Sequence, residues 1–177
     1  MIFTETELAG VWRVEVERHE DERGFFARTF DADEFAARGL ATRFPQCSVS
    51  FNARVGTLRG MHYQAAPHQE AKLVRCTAGA VYDVALDLRP GSPTWGRWTA
   101  AELSAANRAA LYVPEGCAHG FQTLAEATEV FYQISAAHHP ASARGVRWDD
   151  PAFAVAWPDA ERRVISARDR AYPDFAA

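Results

Sequence analysis

Apolar residues in this chain recur mostly at every second position, in short runs. Val11-Trp12-Arg13-Val14-Glu15-Val16 alternates and predicts a strand. His19 to Gly24 reads as a charged turn, followed by an aromatic strand from Phe25 to Phe30. Asp33 to Arg38 predicts one short helix, stopped by Gly39. Beyond it, β-rich runs are broken by Gly and Pro. Val81 to Leu88 places Asp83 and Asp87 on one face, and Tyr82, Val84, Leu86 and Leu88 on the other. Pro90 to Thr94 is a turn. Ala101 to Ala110 has a helical composition, but Ser104, Asn107 and the following Leu111-Tyr112-Val113-Pro114 favour a strand and turn. Thr128 to Ser135 is a further strand, with Val130, Tyr132 and Ile134 on one face. Loops around Trp148-Asp149-Asp150-Pro151 and Trp157-Pro158 are expected to pack across a barrel. The pattern predicts an all-β sandwich or barrel without internal repeats.

Composition narrows the function more than the fold. The 177 residues fit a single domain, 1–177, with one sizeable core. A net charge of -4 argues against general nucleic-acid binding. No apolar run reaches the roughly 18 residues of a membrane span, and the start lacks a signal peptide's basic and apolar stretches. Cys47, Cys76 and Cys117 are odd in number and widely spaced, as expected of reduced thiols in a cytoplasmic protein. Lys72 is the only lysine among 19 basic residues, which singles it out.

The densest candidate chemistry lies in Gly56-Thr57-Leu58-Arg59-Gly60-Met61-His62-Tyr63-Gln64. Arg59 offers a planar, permanently charged fork for phosphate or carboxylate. His62 offers a base near neutral pH. Further polar groups that a plain barrel would not need stand at Arg23-Gly24-Phe25-Phe26, Gln46 to Asn52, Lys72, and Pro114 to Phe121 with His119. Tyr132 and Ile165-Ser166-Ala167-Arg168-Asp169 complete the set. Taken singly, each is more often structural: His119 a satisfied barrel histidine, Tyr132 a core aromatic, Asp169 a cap, Lys72 a solvated cation.

Together these motifs resemble the dTDP-4-dehydrorhamnose 3,5-epimerases of the cupin superfamily. The resemblance runs from about Gly10 to Phe175. It rests on RGFF at Arg23, LRGMHYQ at Leu58, AKLV at Ala71, DVALDLRPGSPTWGRW at Asp83, VPEGCAHGF at Val113, WDDP at Trp148 and ISARD at Ile165. It implies a double-stranded β-helix (a cupin or jelly-roll barrel) with short flanking helices, usually a homodimer. The implied substrate is a nucleotide-linked 4-keto-6-deoxyhexose, with no metal or organic cofactor. It matches His62 to the catalytic base, Asp169 to the carboxylate that orients it, and Tyr132 to the general acid on the opposite face of the sugar. Lys72 and His119 match groups near the ketone, with Asp83 close by. Arg23, Gln46 and Arg59 match diphosphate contacts, and Phe26 lies near the base. In this family part of the nucleotide site comes from the neighbouring subunit.

The chemistry also suits the side chains themselves. Removing a proton beside a ketone throws charge onto the carbonyl oxygen, so a base must reach the carbon and a cation the oxygen. Inversion then needs a donor on the face opposite removal. Arg28, Ser48 and His138 depart from the family pattern toward the nucleotide and bear on which base the sugar carries. One extra residue between Ser50 and Gly56 is expected to lengthen a turn.

Three other readings compete. A metal-dependent cupin would use His62 and His119, since the Pro114-x-Gly116-x-x-His119 pattern matches half of such a signature. Gln64 then stands where a second histidine is required and is a poor ligand beside imidazoles, leaving His68 as a third. A non-catalytic sugar-nucleotide binding cupin would not need an opposed acid and base. An epimerase acting only at C3 would use the same residues.

Overall fold

A computed structural model describes residues 1–175. In chain order the strands begin β1 (Ile2–Glu5), β2 (Trp12–Glu15), β3 (His19–Asp21), β4 (Gly24–Phe26), β5 (Gln46–Asn52), β6 (Thr57–Gln64) and β7 (Lys72–Ala78). They continue as β8 (Ala80–Asp87), β9 (Trp98–Ser104), β10 (Ala110–Val113), β11 (Cys117–Thr123), β12 (Thr128–Ile134), β13 (Ala143–Gly145) and β14 (Val164–Ile165). Two short helices, α1 (Ala32–Ala36) and α2 (Ala167–Arg170), flank them. Among the described residues, no helix is long and apolar enough to cross a membrane.

Two antiparallel sheets face one another, as a jelly-roll barrel requires. One runs β1-β2-β10-β7-β12-β5, the other β13-β6-β11-β8-β9, with β14 lying parallel on the start of β6. Val74, Leu111, Val113 and Val130 from the first sheet meet Val81, Ala85, Leu103 and Phe121 from the second in a shared core. Outside the second sheet, Phe153 and Trp157, with Trp148 beside them, cover Leu58, Val84 and Leu86. These tryptophan loops do pack over the barrel. Outside the first sheet, Phe35 of α1 covers Val14, Leu73 and Tyr112.

Local expectations hold with three shifts. His19 to Gly24 is not simply a turn, because β3 and β4 pair as a hairpin around Glu22 and Arg23. The aromatic strand ends at Phe26 rather than Phe30. Phe30 instead packs edge-on against Phe35 at 4.9 Å, and that contact draws the chain off the ladder. The helix starts one residue early because the Asp31 side chain accepts from the main chain of Asp33 and Glu34, capping it.

β8 shows why simple alternation misleads here. Its Asp83 and Asp87 are both fully buried, and the apolar set on its other face is covered as well. The acidic face points into the barrel, where each carboxylate has partners. Asp87 accepts from Arg89, Ser92 and Thr94 and so fastens the 90–94 turn. Burial alone would raise its pKa, but those hydrogen bonds more than offset this and hold it well below the usual carboxylate range.

Candidate active site

The site begins with an irregularity in β6. Alternation would put Arg59 and His62, three positions apart, on opposite faces. In the ladder with β11, His62 pairs with His119 while Arg59 pairs with Phe121, so β6 carries one extra residue over that interval. The bulge turns both side chains to the inner face. Gly60 makes it possible, with φ at 126° and a Cβ position that would fall 2.6 Å from Gly120 Cα. No side chain fits there.

Arg59 and His62 now line one cleft of about 400 Å³ between the two sheets, at the end left open by the shared core. Gln46, Lys72, His119 and Tyr132 line it too. His62 and His119 come from β6 and β11 in one wall, Lys72 and Tyr132 from β7 and β12 in the facing wall.

His62 Nε2 lies 2.8 Å from Asp169 Oδ1. The acid arrives from the far end of the chain: β14 runs beside Thr57 and Leu58, and α2 then turns Asp169 back under β6. Ser166, not Asp169, caps that helix. Asp169 is buried, which by itself would raise its pKa. The hydrogen bond and charge of His62, then the Gly60 N–H at 3.3 Å, outweigh burial and lower it. With Nε2 held by Asp169, Nδ1 is the nitrogen of His62 left for a ligand. The imidazole is 42% exposed, which leaves it reachable.

His119 is arranged similarly, with Nε2 2.8 Å from Oδ1 of buried Asp83. Its ring meets that of Tyr132 edge-on at 6.0 Å. Burial pushes the Tyr132 phenol well above its ordinary pKa, a bond to Ser50 opposing only in part, so it is a protonated donor at neutral pH. Lys72 Nζ donates to the His62 carbonyl at 3.2 Å. Arg59 is aimed by Nε donating to Asn52 Oδ1 at 2.7 Å, a neutral partner that leaves its charge uncancelled. Gln46 Oε1 accepts from the His138 main chain at 2.7 Å.

Three residues expected at the substrate stand apart, the first being Asp83, which is fully buried behind His119 and does not line the cleft. Arg23 and Phe26 sit on the β3–β4 hairpin and do not line this cleft. Arg23 is 84% exposed and paired with Asp21, and Phe26 is 72% exposed. Nor does His68 join His62 and His119 as a third metal ligand. Its ring stacks on His139 at 3.7 Å, and the Gln64 amide is spent on the main chain of His68 and His139.

The family model for dTDP-4-dehydrorhamnose 3,5-epimerase matches residues 5–177. The chain belongs to that family. Over 175 residues it is 41% identical to the dTDP-4-dehydrorhamnose 3,5-epimerase of Sinorhizobium fredii, covering 99% of this chain and 90% of the relative. The crystal structure of dTDP-4-dehydrorhamnose 3,5-epimerase from Elizabethkingia anophelis superposes with a TM-score of 0.95 at 36% identity, over 99% of this chain and 96% of that one. The dTDP-6-deoxy-D-glucose-3,5-epimerase of Legionella pneumophila, solved with dTDP-4-keto-L-rhamnose, gives 0.89 at 36% identity over 95% and 89% of the two chains. This epimerase-family chain is thus an enzyme of the isomerase class with the cupin-type barrel.

Its cleft also holds groups not singled out from sequence, namely Glu70, Arg144 and Arg168. Arg168 had a signal, since it precedes Asp169 in the same helix. Glu70 precedes Lys72 by two residues and so shares its face in extended chain. Arg144 had none, because only the pairing of β13 with β6 brings it to the rim.

Proposed function

We propose that this chain inverts C3 and C5 of a dTDP-linked 4-keto-6-deoxyhexose, converting dTDP-4-dehydro-6-deoxyglucose to dTDP-4-dehydrorhamnose. The observation that carries this reading is the His62–Asp169 pair in one wall of a cleft with the half-buried Tyr132 in the wall opposite. A binding module has no use for an opposed base and acid.

In this mechanism Asp169 fixes the Nε2–H tautomer of His62, and Nδ1 takes the proton from the carbon beside the ketone. Electron density moves onto the C4 oxygen, where Lys72 donates and stabilises the enolate. His119, oriented by Asp83, lies beside the same oxygen. Tyr132 delivers a proton to the other face, and the carbon is inverted. Both C3 and C5 flank C4, so one base serves both once the sugar turns. The reaction runs on side chains, without a metal or organic cofactor.

Arg59 and Gln46 bind the diphosphate. Arg23 and Phe26 complete the nucleotide site of a second copy in a cytoplasmic homodimer. Their distance from their own cleft supports this, as do Val49 and Phe51, which are 57% and 59% exposed on the edge strand β5.

Incubation with dTDP-4-keto-6-deoxyglucose in deuterated water tests the reaction, with NMR locating the label. Deuterium at C3 and C5 with inversion is expected. Label at C3 alone would make this a 3-epimerase, and no exchange at all would remove the proposal.

Arg59→Ala and Arg23→Ala test the nucleotide contacts. Each should weaken dTDP by about 1.5–3 kcal/mol, the worth of a charge-assisted hydrogen bond. The loss should appear equally for free dTDP in calorimetry, because the sugar plays no part in it. Mixing Arg23→Ala with inactive His62→Ala subunits should restore one intact site per mixed dimer. Failure to recover activity would place Arg23 outside the partner's site.

A further inference from the structure

Glu70 lines the cleft and is 3.0 Å from Lys72 Nζ through its Oε1, both side chains being only 10% exposed. Its backbone neighbour Ala71 is fixed on both sides by Ser135, its N–H donating to the Ser135 hydroxyl oxygen at 2.8 Å and its carbonyl accepting the Ser135 N–H at 2.9 Å. Ser135 directly follows β12, the strand that carries Tyr132. The carboxylate is thereby held in register with the strand bearing the proposed acid.

A lysine ammonium rides on four rotatable bonds and carries three N–H donors. Here one donor is committed to the His62 carbonyl, and Glu70 holds the ammonium as an ion pair from 3.0 Å. We infer that Glu70 is a positioning residue for Lys72, its ion pair fixing the ammonium so that a remaining N–H faces the substrate's ketone oxygen. This role presupposes that Lys72 stabilises the oxyanion as proposed above. Glu70 has a second effect of opposite sign. Its negative charge subtracts from the field of Arg59, Arg144 and Arg168 in the same cleft, which attracts the diphosphate.

Removing the carboxylate should therefore split catalysis from binding. Glu70→Ala should lower kcat on the order of tenfold to a hundredfold, the cost of a misplaced catalytic group. It should at the same time bind dTDP more tightly. Glu70→Gln keeps an acceptor oxygen within reach and should lose less turnover while gaining the same affinity. In a Lys72→Met background, Glu70→Ala should cost nothing further, because the group it positions is gone.

A full additional loss in that background would overturn the role, as would wild-type kcat in Glu70→Ala. Weaker dTDP binding in both Glu70 variants would also count against it. If Glu70→Ala fails to fold, Glu70→Gln alone and with Lys72→Met completes the same cycle. Unchanged turnover in Lys72→Met by itself would instead sink the assignment of Lys72, a distinct failure.

Discussion

His62→Ala should abolish epimerisation while leaving dTDP affinity close to that of the parent. The imidazole is the group that takes the proton, and a general base contributes about 10²–10⁴ in rate, or roughly 3–5 kcal/mol of transition-state stabilisation. None of that is expressed in the ground state, so KM should barely move. The fold should survive as well, since His62 is 42% exposed and its removal leaves no large void. Asp169 is the member left behind. It keeps the Gly60 N–H at 3.3 Å, so its buried charge is not stranded. Solvent exchange at C3 and C5, read by NMR in deuterated water, should vanish together with product. Near wild-type exchange would remove His62 as the base and with it the reading of the cleft. Asp169→Asn should fall in the same direction, because the amide cannot hold the Nε2–H tautomer as the carboxylate does.

Tyr132→Phe should separate proton removal from inversion. His62 stands in one wall and Tyr132 in the other, so the variant loses only the return step. The enolate can still collapse by recovering a proton from His62, which regenerates starting material. Where His62 exchanges with solvent within the enolate's lifetime, that proton is deuterium. The expected result is substrate labelled beside the ketone with its configuration retained, and product formation reduced by about 10²–10⁴. The ratio of exchange to inversion should exceed the wild-type ratio. Equal loss of both would recast Tyr132 as a positioning residue. Loss of neither would return it to the barrel core, where its ring already packs against the cluster around Val130. The fold should tolerate the change, since the hydroxyl gives up one long bond, to Ser50 at 3.4 Å.

A large part of this protein could be read without its structure, for identifiable reasons. Strand after strand followed from period-two alternation, and the choice of strand and turn over Ala101 to Ala110 held because Ser104 and Asn107 bond each other's main chain there. The residues of the cleft were legible too, through the motifs shared with the epimerase family rather than through any one residue's own pattern. Arg59, His62, Lys72, His119 and Tyr132 all meet in the cleft.

What sequence could not decide was which face each residue takes and what it touches. Arg59 and His62 share a face only through the bulge at Gly60, whose need arises from the approach of Gly120 on another strand. Alternation counts residues along one chain and cannot register an extra one relative to a partner. Alternation put Asp83 on the acidic face of β8 without saying what covers that face; it is fully buried, because the barrel is polar inside at this end and His119 waits there. Asp169 reaches His62 across 107 positions, a contact made by β14 and α2 folding back along β6. Sequence on its own determined most of the barrel strands and the chemical inventory, since both depend largely on neighbours along the chain. Closing two sheets into a barrel decided which acids meet which histidines, and that pairing is what turns an inventory into a base.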